Sequence, residues 1–168
     1  KRIQELKNNI DITNEIKIKK NFSTSKINFT HKFLECRTCN IFIITVPTPV
    51  DKKNEPDLRN LYDASDIVAK LLKKDDIVVI ESTVYPGVTE KIIAPIIEKK
   101  SGMIAGKDFN MGYSPERINP GDSKYKITNI KKVVAADNKK TLNKLSKVYK
   151  KIIKAGIHKV SSIKVAEI

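Results

Sequence analysis

The sequence predicts an α/β fold, a doubly wound parallel sheet with helices on both faces. Three observations carry that expectation. Apolar runs of strand length alternate with amphipathic helical segments through most of the chain. The runs at 40–46 (NIFIITV) and 76–81 (DIVVIE) are apolar on both faces, as in strands covered from two sides. No internal repeat, heptad or low-complexity tract competes with this order.

The elements follow in sequence. Residues 1–9 read as a helix already under way, with Ile3 and Leu6 on one face. Residues 10–26 are polar and irregular, KINFT at 26–30 reads as a short strand, and a brief helical stretch surrounds His31–Arg37. The apolar run 40–46 is the first inner strand. Asp57 is placed to cap a helix whose apolar positions Leu58, Leu61, Val68, Leu71 and Leu72 keep helical spacing. Strand 76–81 precedes a helix from about Val88 to Lys100, in which Pro95 is expected to kink the helix or restrict its regular part. Strand 108–114 leads into a Pro/Gly loop, and strand 131–137 ends at Asp137, expected to cap a helix with Leu142, Leu145, Tyr149 and Ile152 on one face. A last strand spans 156–161, and SIKVAEI opens a helix.

Composition narrows the function classes. The 168 residues are enough for one domain with a real core. No apolar run approaches the roughly 20 residues that cross a bilayer, so no membrane partner is expected. The opening KRIQELKNN carries no signal-peptide pattern, and the expected location is cytoplasmic. The net charge of +14 invites a nucleic-acid reading. Only Arg2, Arg37, Arg59 and Arg117 of the 33 basic residues are arginine, however, and the lysines spread along the whole chain. That pattern favours a solvated lysine surface over a nucleic-acid footprint. Cys36 and Cys39 form a C-x-x-C pair without the second pair or spaced histidines that a zinc site needs, so no metal is expected.

Three segments fall at strand exits, where open α/β sheets bind ligands. Val46-Pro47-Thr48-Pro49 is stiff, because proline fixes φ and donates no hydrogen bond, and it presents the Thr48 hydroxyl. Glu81-Ser82-Thr83 leaves the next strand, and Tyr85-Pro86-Gly87 leads into a helix. Then 113-YSPERINPGD-122 sets Glu116, Arg117 and an Asn-Pro-Gly return on one loop, groups suited to a phosphorylated or hydroxylated ligand. Sharp strand exits, an ordinary helix cap and a surface ion pair are the functionless readings of the three. Their recurrence at one kind of place argues for a common crevice.

Taken in series, TVPTP followed by PDL, ESTVYPG, YSPERINPGD and SSIKVAE resemble the nucleotide-sugar dehydrogenases, the UDP-glucose/GDP-mannose dehydrogenase family. The likeness runs over essentially the whole chain. It leans toward the branch that oxidises UDP-N-acetylhexosamines (UDP-GlcNAc, UDP-GalNAc or UDP-ManNAc) to uronic acids for surface polysaccharides. The resemblance implies a partial Rossmann-like domain over residues 1–160 and the start of a central connecting helix over 161–168. It also implies that the first strand and the Gly-rich pyrophosphate turn are lacking here, and that the family's cysteine nucleophile and helix lysine fall after Ile168. On that reading the chain is an internal fragment without dehydrogenase activity by itself, and the full-length protein is a homodimer.

The cofactor implied is NAD, with NADP left open, and the substrate is a UDP-sugar whose C6 alcohol is oxidised twice to an acid. By position, Thr48 and Thr83 match residues that contact NAD, Thr83 near the reacting centre. Glu116 matches the carboxylate that activates water in the second half-reaction, Arg117 and Ile118 match the sugar-nucleotide segment, and Arg2 matches a basic position near the adenosine ribose. Arg117 and Pro120 depart from the P-E-F-L-x-E-G pattern of UDP-glucose enzymes, which moves the reading toward an amino sugar. The competing readings are a UDP-glucose or GDP-mannose 6-dehydrogenase, a non-catalytic remnant of the same fold, and a nucleic-acid-binding domain resting on charge alone.

Overall fold

The computed structural model describes residues 2–8, 10, 12, 27–117 and 127–168. Its centre is a sheet of five strands in the spatial order β1-β2-β3-β4-β5. These are β1 (Ile41–Ile44), β2 (Ile77–Ile80), β3 (Asn110–Tyr113), β4 (Lys132–Ala136) and β5 (Ile157–Lys159). The helices are α1 (Arg2–Lys7), α2 (Arg59–Ala69), α3 (Ala94–Ser101), α4 (Lys139–Lys150) and α5 (Ile163–Ala166).

Strand alternation sorts the core onto the two faces. Val78 and Ile80 of β2, with Phe42, Ile44, Met111 and Tyr113, pack against Leu61 of α2, Ile97 of α3 and Ile163 of α5. Ile77 and Val79 point the other way, with Val134, onto Leu145 and Tyr149 of α4 and Ile153 beyond it. Helices therefore cover both faces, and β2, the strand with all four residues buried, is the spine they share.

Several expectations require correction. The sheet is not wholly parallel: β1, β2 and β3 run together, but β4 pairs with β3 antiparallel and β5 follows β4. An antiparallel pair, unlike a parallel one, needs no crossover helix between its strands. Residues 27–30 are not a strand; the Thr30 Oγ1 accepts from the Lys32 N–H at 2.9 Å ahead of the next helical turn. The helical stretch beside them is a 3-10 helix, Phe33–Thr38. β1 is an edge strand among the described residues, and Ile43 on it is 44% exposed.

Two caps move by one residue. The residue ahead of α2 is Leu58; Asp57 instead accepts from the Arg59 N–H and side chain. Those bonds hold its carboxyl down at about 2. The cap of α4 is Asn138, whose Oδ1 accepts from Thr141 N–H at 2.8 Å, while Asp137 Oδ2 accepts from Met111 N–H at 2.7 Å and so ties β4 to β3. Pro95 acts as expected: a π turn at Thr89–Ile93 precedes it, and regular α3 starts beside it, ending at Gly102 in the left-handed region.

Candidate active-site cleft

Because β1, β2 and β3 are parallel, the chain leaves all three at the same edge of the sheet. An open cleft of about 340 Å³ lies there, lined by Thr45, Val46, Pro47, Thr48, Glu81, Ser82, Thr83 and Glu116. Each of the three loops singled out by its prolines contributes to that wall.

The first two loops are laced together. Thr48 Oγ1 donates to the Thr83 carbonyl at 2.7 Å, and Ser82 Oγ donates to the Val46 carbonyl at 2.6 Å. Asn60, in the first turn of α2, donates to the Pro47 carbonyl at 3.0 Å. The prolines leave carbonyls without neighbouring N–H donors, and side chains supply the donors instead. A rigid rim results, with Thr83 exposed and Thr48 half-buried on it.

Behind the third loop is a charged cluster that no motif announced. Lys132, only 6% exposed, sets its ammonium 3.3 Å from Glu81 Oε2, 3.4 Å from Glu116 Oε2 and 3.2 Å from the Pro115 carbonyl. The Tyr149 hydroxyl donates to the other oxygen of Glu81, and the Lys132 ammonium lies 5.7 Å from the Tyr149 ring centroid. Burial and the Glu81 carboxylate push the Tyr149 phenol above its ordinary value, so it is a donor. Ser114, wholly buried, donates to the Val133 carbonyl at 2.7 Å and fixes the strand end from which Glu116 departs.

The antiparallel pairing explains how Lys132 arrives. In the register, Gly112 faces Ala136 and Tyr113 faces Ala135. Continued outward, that register sets Glu116 opposite Lys132. A parallel β4 would have carried Lys132 to the far edge of the sheet.

The remaining candidates lie elsewhere. Arg117 is exposed, does not line the cleft, and its backbone N–H donates to Glu116 Oε1 at 2.8 Å. Arg2 sits on α1 and is not among the cleft residues. Ile118 lies outside the described residues. Cys36 is half-buried and Cys39 exposed, and no cluster of three or more metal-ligating side chains occurs among the described residues. No helix among them is long and apolar enough to cross a membrane.

Comparison with known proteins shows the family of the chain. Residues 1–153 match the model of the UDP-glucose/GDP-mannose dehydrogenase family, NAD binding domain. The chain is 48% identical over 166 residues to UDP-N-acetyl-D-glucosamine 6-dehydrogenase of Pseudomonas aeruginosa, which covers 99% of this chain and 39% of that protein. It is 50% identical over 166 residues to Protein CapL of Staphylococcus aureus, again over 99% of this chain and 39% of the relative. Among solved structures, UDP-D-ManNAc dehydrogenase from Pyrococcus horikoshii superimposes with a TM-score of 0.74 at 32% identity, over 82% of this chain and 32% of that one. The chain thus spans about two fifths of the length of the curated relatives it matches.

Proposed function

Since the chain belongs to the UDP-glucose/GDP-mannose dehydrogenase family, we propose that it carries the cofactor-side half of an NAD-dependent UDP-N-acetylhexosamine 6-dehydrogenase. One observation supports this most: Thr48, Thr83 and Glu116, distant in sequence, line one cleft at the exits of three parallel strands. The substrate class follows from the similarity to a UDP-N-acetyl-D-glucosamine enzyme and from Arg117 and Pro120 in the third loop.

The residues present fit part of a dinucleotide. The rim offers hydroxyls at Thr48 and Thr83 and is held rigid by cross-loop bonds, which lowers the ordering cost of binding. Thr48 spends its proton on the Thr83 carbonyl and keeps its oxygen lone pairs for a donor such as a carboxamide or ribose hydroxyl. When bound, NAD supplies a hydride acceptor; the chain's task is to orient it. Glu116, with 39% of its side chain exposed, is the cleft carboxylate able to reach a ligand. In this reading it takes the proton from the water that attacks the oxidised C6 carbon in the second half of the reaction. Arg117 and Ile118 contact the sugar nucleotide beyond it, and Arg2 the adenosine end. The full-length enzyme is a homodimer acting in the cytoplasm.

A chimaera tests the proposal: this segment replaces the matched segment of the Pseudomonas aeruginosa relative, and NADH formation is followed with UDP-N-acetylglucosamine. The expected result is turnover that Glu116→Gln lowers by about 10²–10⁴-fold, with the KM for NAD within a few-fold. Turnover within twofold of the parent chimaera would remove Glu116 from this role. A folded chimaera that binds NAD yet forms no NADH would favour a non-catalytic remnant.

A further inference from the structure

Lys132 lies behind the cleft wall and is absent from its lining, yet both cleft carboxylates, Glu81 and Glu116, meet its ammonium. We propose that Lys132 is a positioning residue that clamps the Glu116 loop to the sheet and so fixes where the Glu116 carboxylate meets the substrate. The proposal deepens the reading above and rests on it for its catalytic arm only.

Four segments converge on the clamp. Glu81 comes from the exit of β2, Glu116 and the Pro115 carbonyl from the exit of β3, Lys132 from the start of β4, and Tyr149 from the last turns of α4. A lysine stem that enters the interior at 6% exposure is unusual and needs partners for its charge. Its three hydrogen-bond partners among the described residues are all oxygens, and two of them, from Pro115 and Glu116, belong to the cleft loop. Glu81 is the fixed end: 12% exposed, it is held through one oxygen by the Tyr149 hydroxyl and through the other by Lys132. Glu116 is the presented end, open to the cleft. Among the described residues the ladder pairs of β3 end at Tyr113 and the last backbone tie is Ser114 N–H to the Ile80 carbonyl at 3.0 Å, so the side-chain contacts to Lys132 add a constraint at Glu116 beyond it.

Two measurements test this. In the 168-residue chain, the ¹⁵N heteronuclear NOE of the Glu116 and Arg117 amides is compared between wild type, Lys132→Met and Lys132→Arg. Loss of NOE in Lys132→Met, restored in Lys132→Arg, is expected, while amides of β1 and β2 stay unchanged. An unchanged NOE at Glu116 overturns the proposal. If Lys132→Met does not fold, Glu81→Gln serves: it weakens the fixed end at constant shape, and the same loosening at Glu116 is expected, its absence counting against the clamp.

In the chimaera, Lys132→Met should lower kcat on the order of 10–100-fold, the scale of a misplaced reacting group. The KM for NAD should stay within threefold, and Lys132→Arg should recover most of kcat. A kcat within twofold of the parent overturns the positioning role. A chimaera inactive from the start, together with the NOE loss in the 168-residue chain, keeps the clamp and sinks the reaction reading instead.

Discussion

Glu167 is a carboxylate taken into the interior, 7% exposed, with one oxygen accepting from Gly87 N–H at 2.5 Å and the other from Thr89 N–H at 2.9 Å. Two orphan donors at the start of the segment that becomes α3 are thereby satisfied by a residue 80 positions away. Removing it strands both, so Glu167→Ala should cost about 3 kcal/mol in urea unfolding. Thr89 makes the opposite case. Its Oγ1 is buried with no hydrogen-bond partner among the described residues, so the isosteric Thr89→Val should be neutral or stabilising by up to about 1 kcal/mol. A loss beyond about 1 kcal/mol in Thr89→Val would show an unseen partner for that hydroxyl. Legibility at this scale was uneven. Thr48 and Glu116 stand out because proline beside a polar residue at a strand exit is chemically odd, and Thr83 because a hydroxyl pair leaves a strand just ahead of a helix. Lys132 did not, because one lysine among so many carries no local sign that it will be buried. Only the register of β4 against β3 reveals it.

At the scale of elements, periodicity located each helix and most strands, and the errors cluster where two adjacent residues compete for one job. Asp137 and Asn138 both suit a helix N-terminus. Asn138 takes the cap, and Asp137 turns to Met111 N–H because β3 leaves that donor facing it. Asn138 has a second tie, its Nδ2 donating to Asn110 Oδ1 at 2.7 Å, which links the start of α4 to β3. Asn138→Ala should therefore cost about 1–2 kcal/mol, and Asn138→Ser, which keeps a cap oxygen, less than half of that. Equal losses in the two variants by urea midpoint would mean that the Asn110 tie, and not the cap, carries the effect. The direction of β4 was beyond sequence patterning, since an apolar five-residue strand reads alike in either sense. Residue 112 shows what the pairing demands. A Cβ there would sit 2.6 Å from Leu145 Cδ1 and 3.3 Å from the Ala135 carbonyl, so any side chain at 112 makes Leu145 shift before α4 and β4 can close on β3.

At the scale of the molecule, the described residues form one sheet with two apolar faces, and the strands bind those faces into one unit. Ile77 and Val79 belong to one cluster while Val78 and Ile80 belong to the other, so neither cluster can lose its packing without exposing the opposite side of the same four residues. The net charge of +14 opposes compaction by self-repulsion, although its spread over lysines favours a solvated surface over a polyanion footprint. The fold answers with 0%-exposed residues on both faces of β2, a core that a solvated lysine shell does not touch. Cooperative unfolding follows from that sharing. Ile97→Ala empties a site in the α2–α3 face and Leu145→Ala one in the α4 face, each fully buried, and each should cost about 2–5 kcal/mol. Because both faces rest on β2, each variant should show a single transition in which the near-ultraviolet tyrosine signal and the far-ultraviolet backbone signal move together. Two separated transitions in Leu145→Ala, with the α4 face melting first, would mean that the faces are independent and that β2 does not couple them.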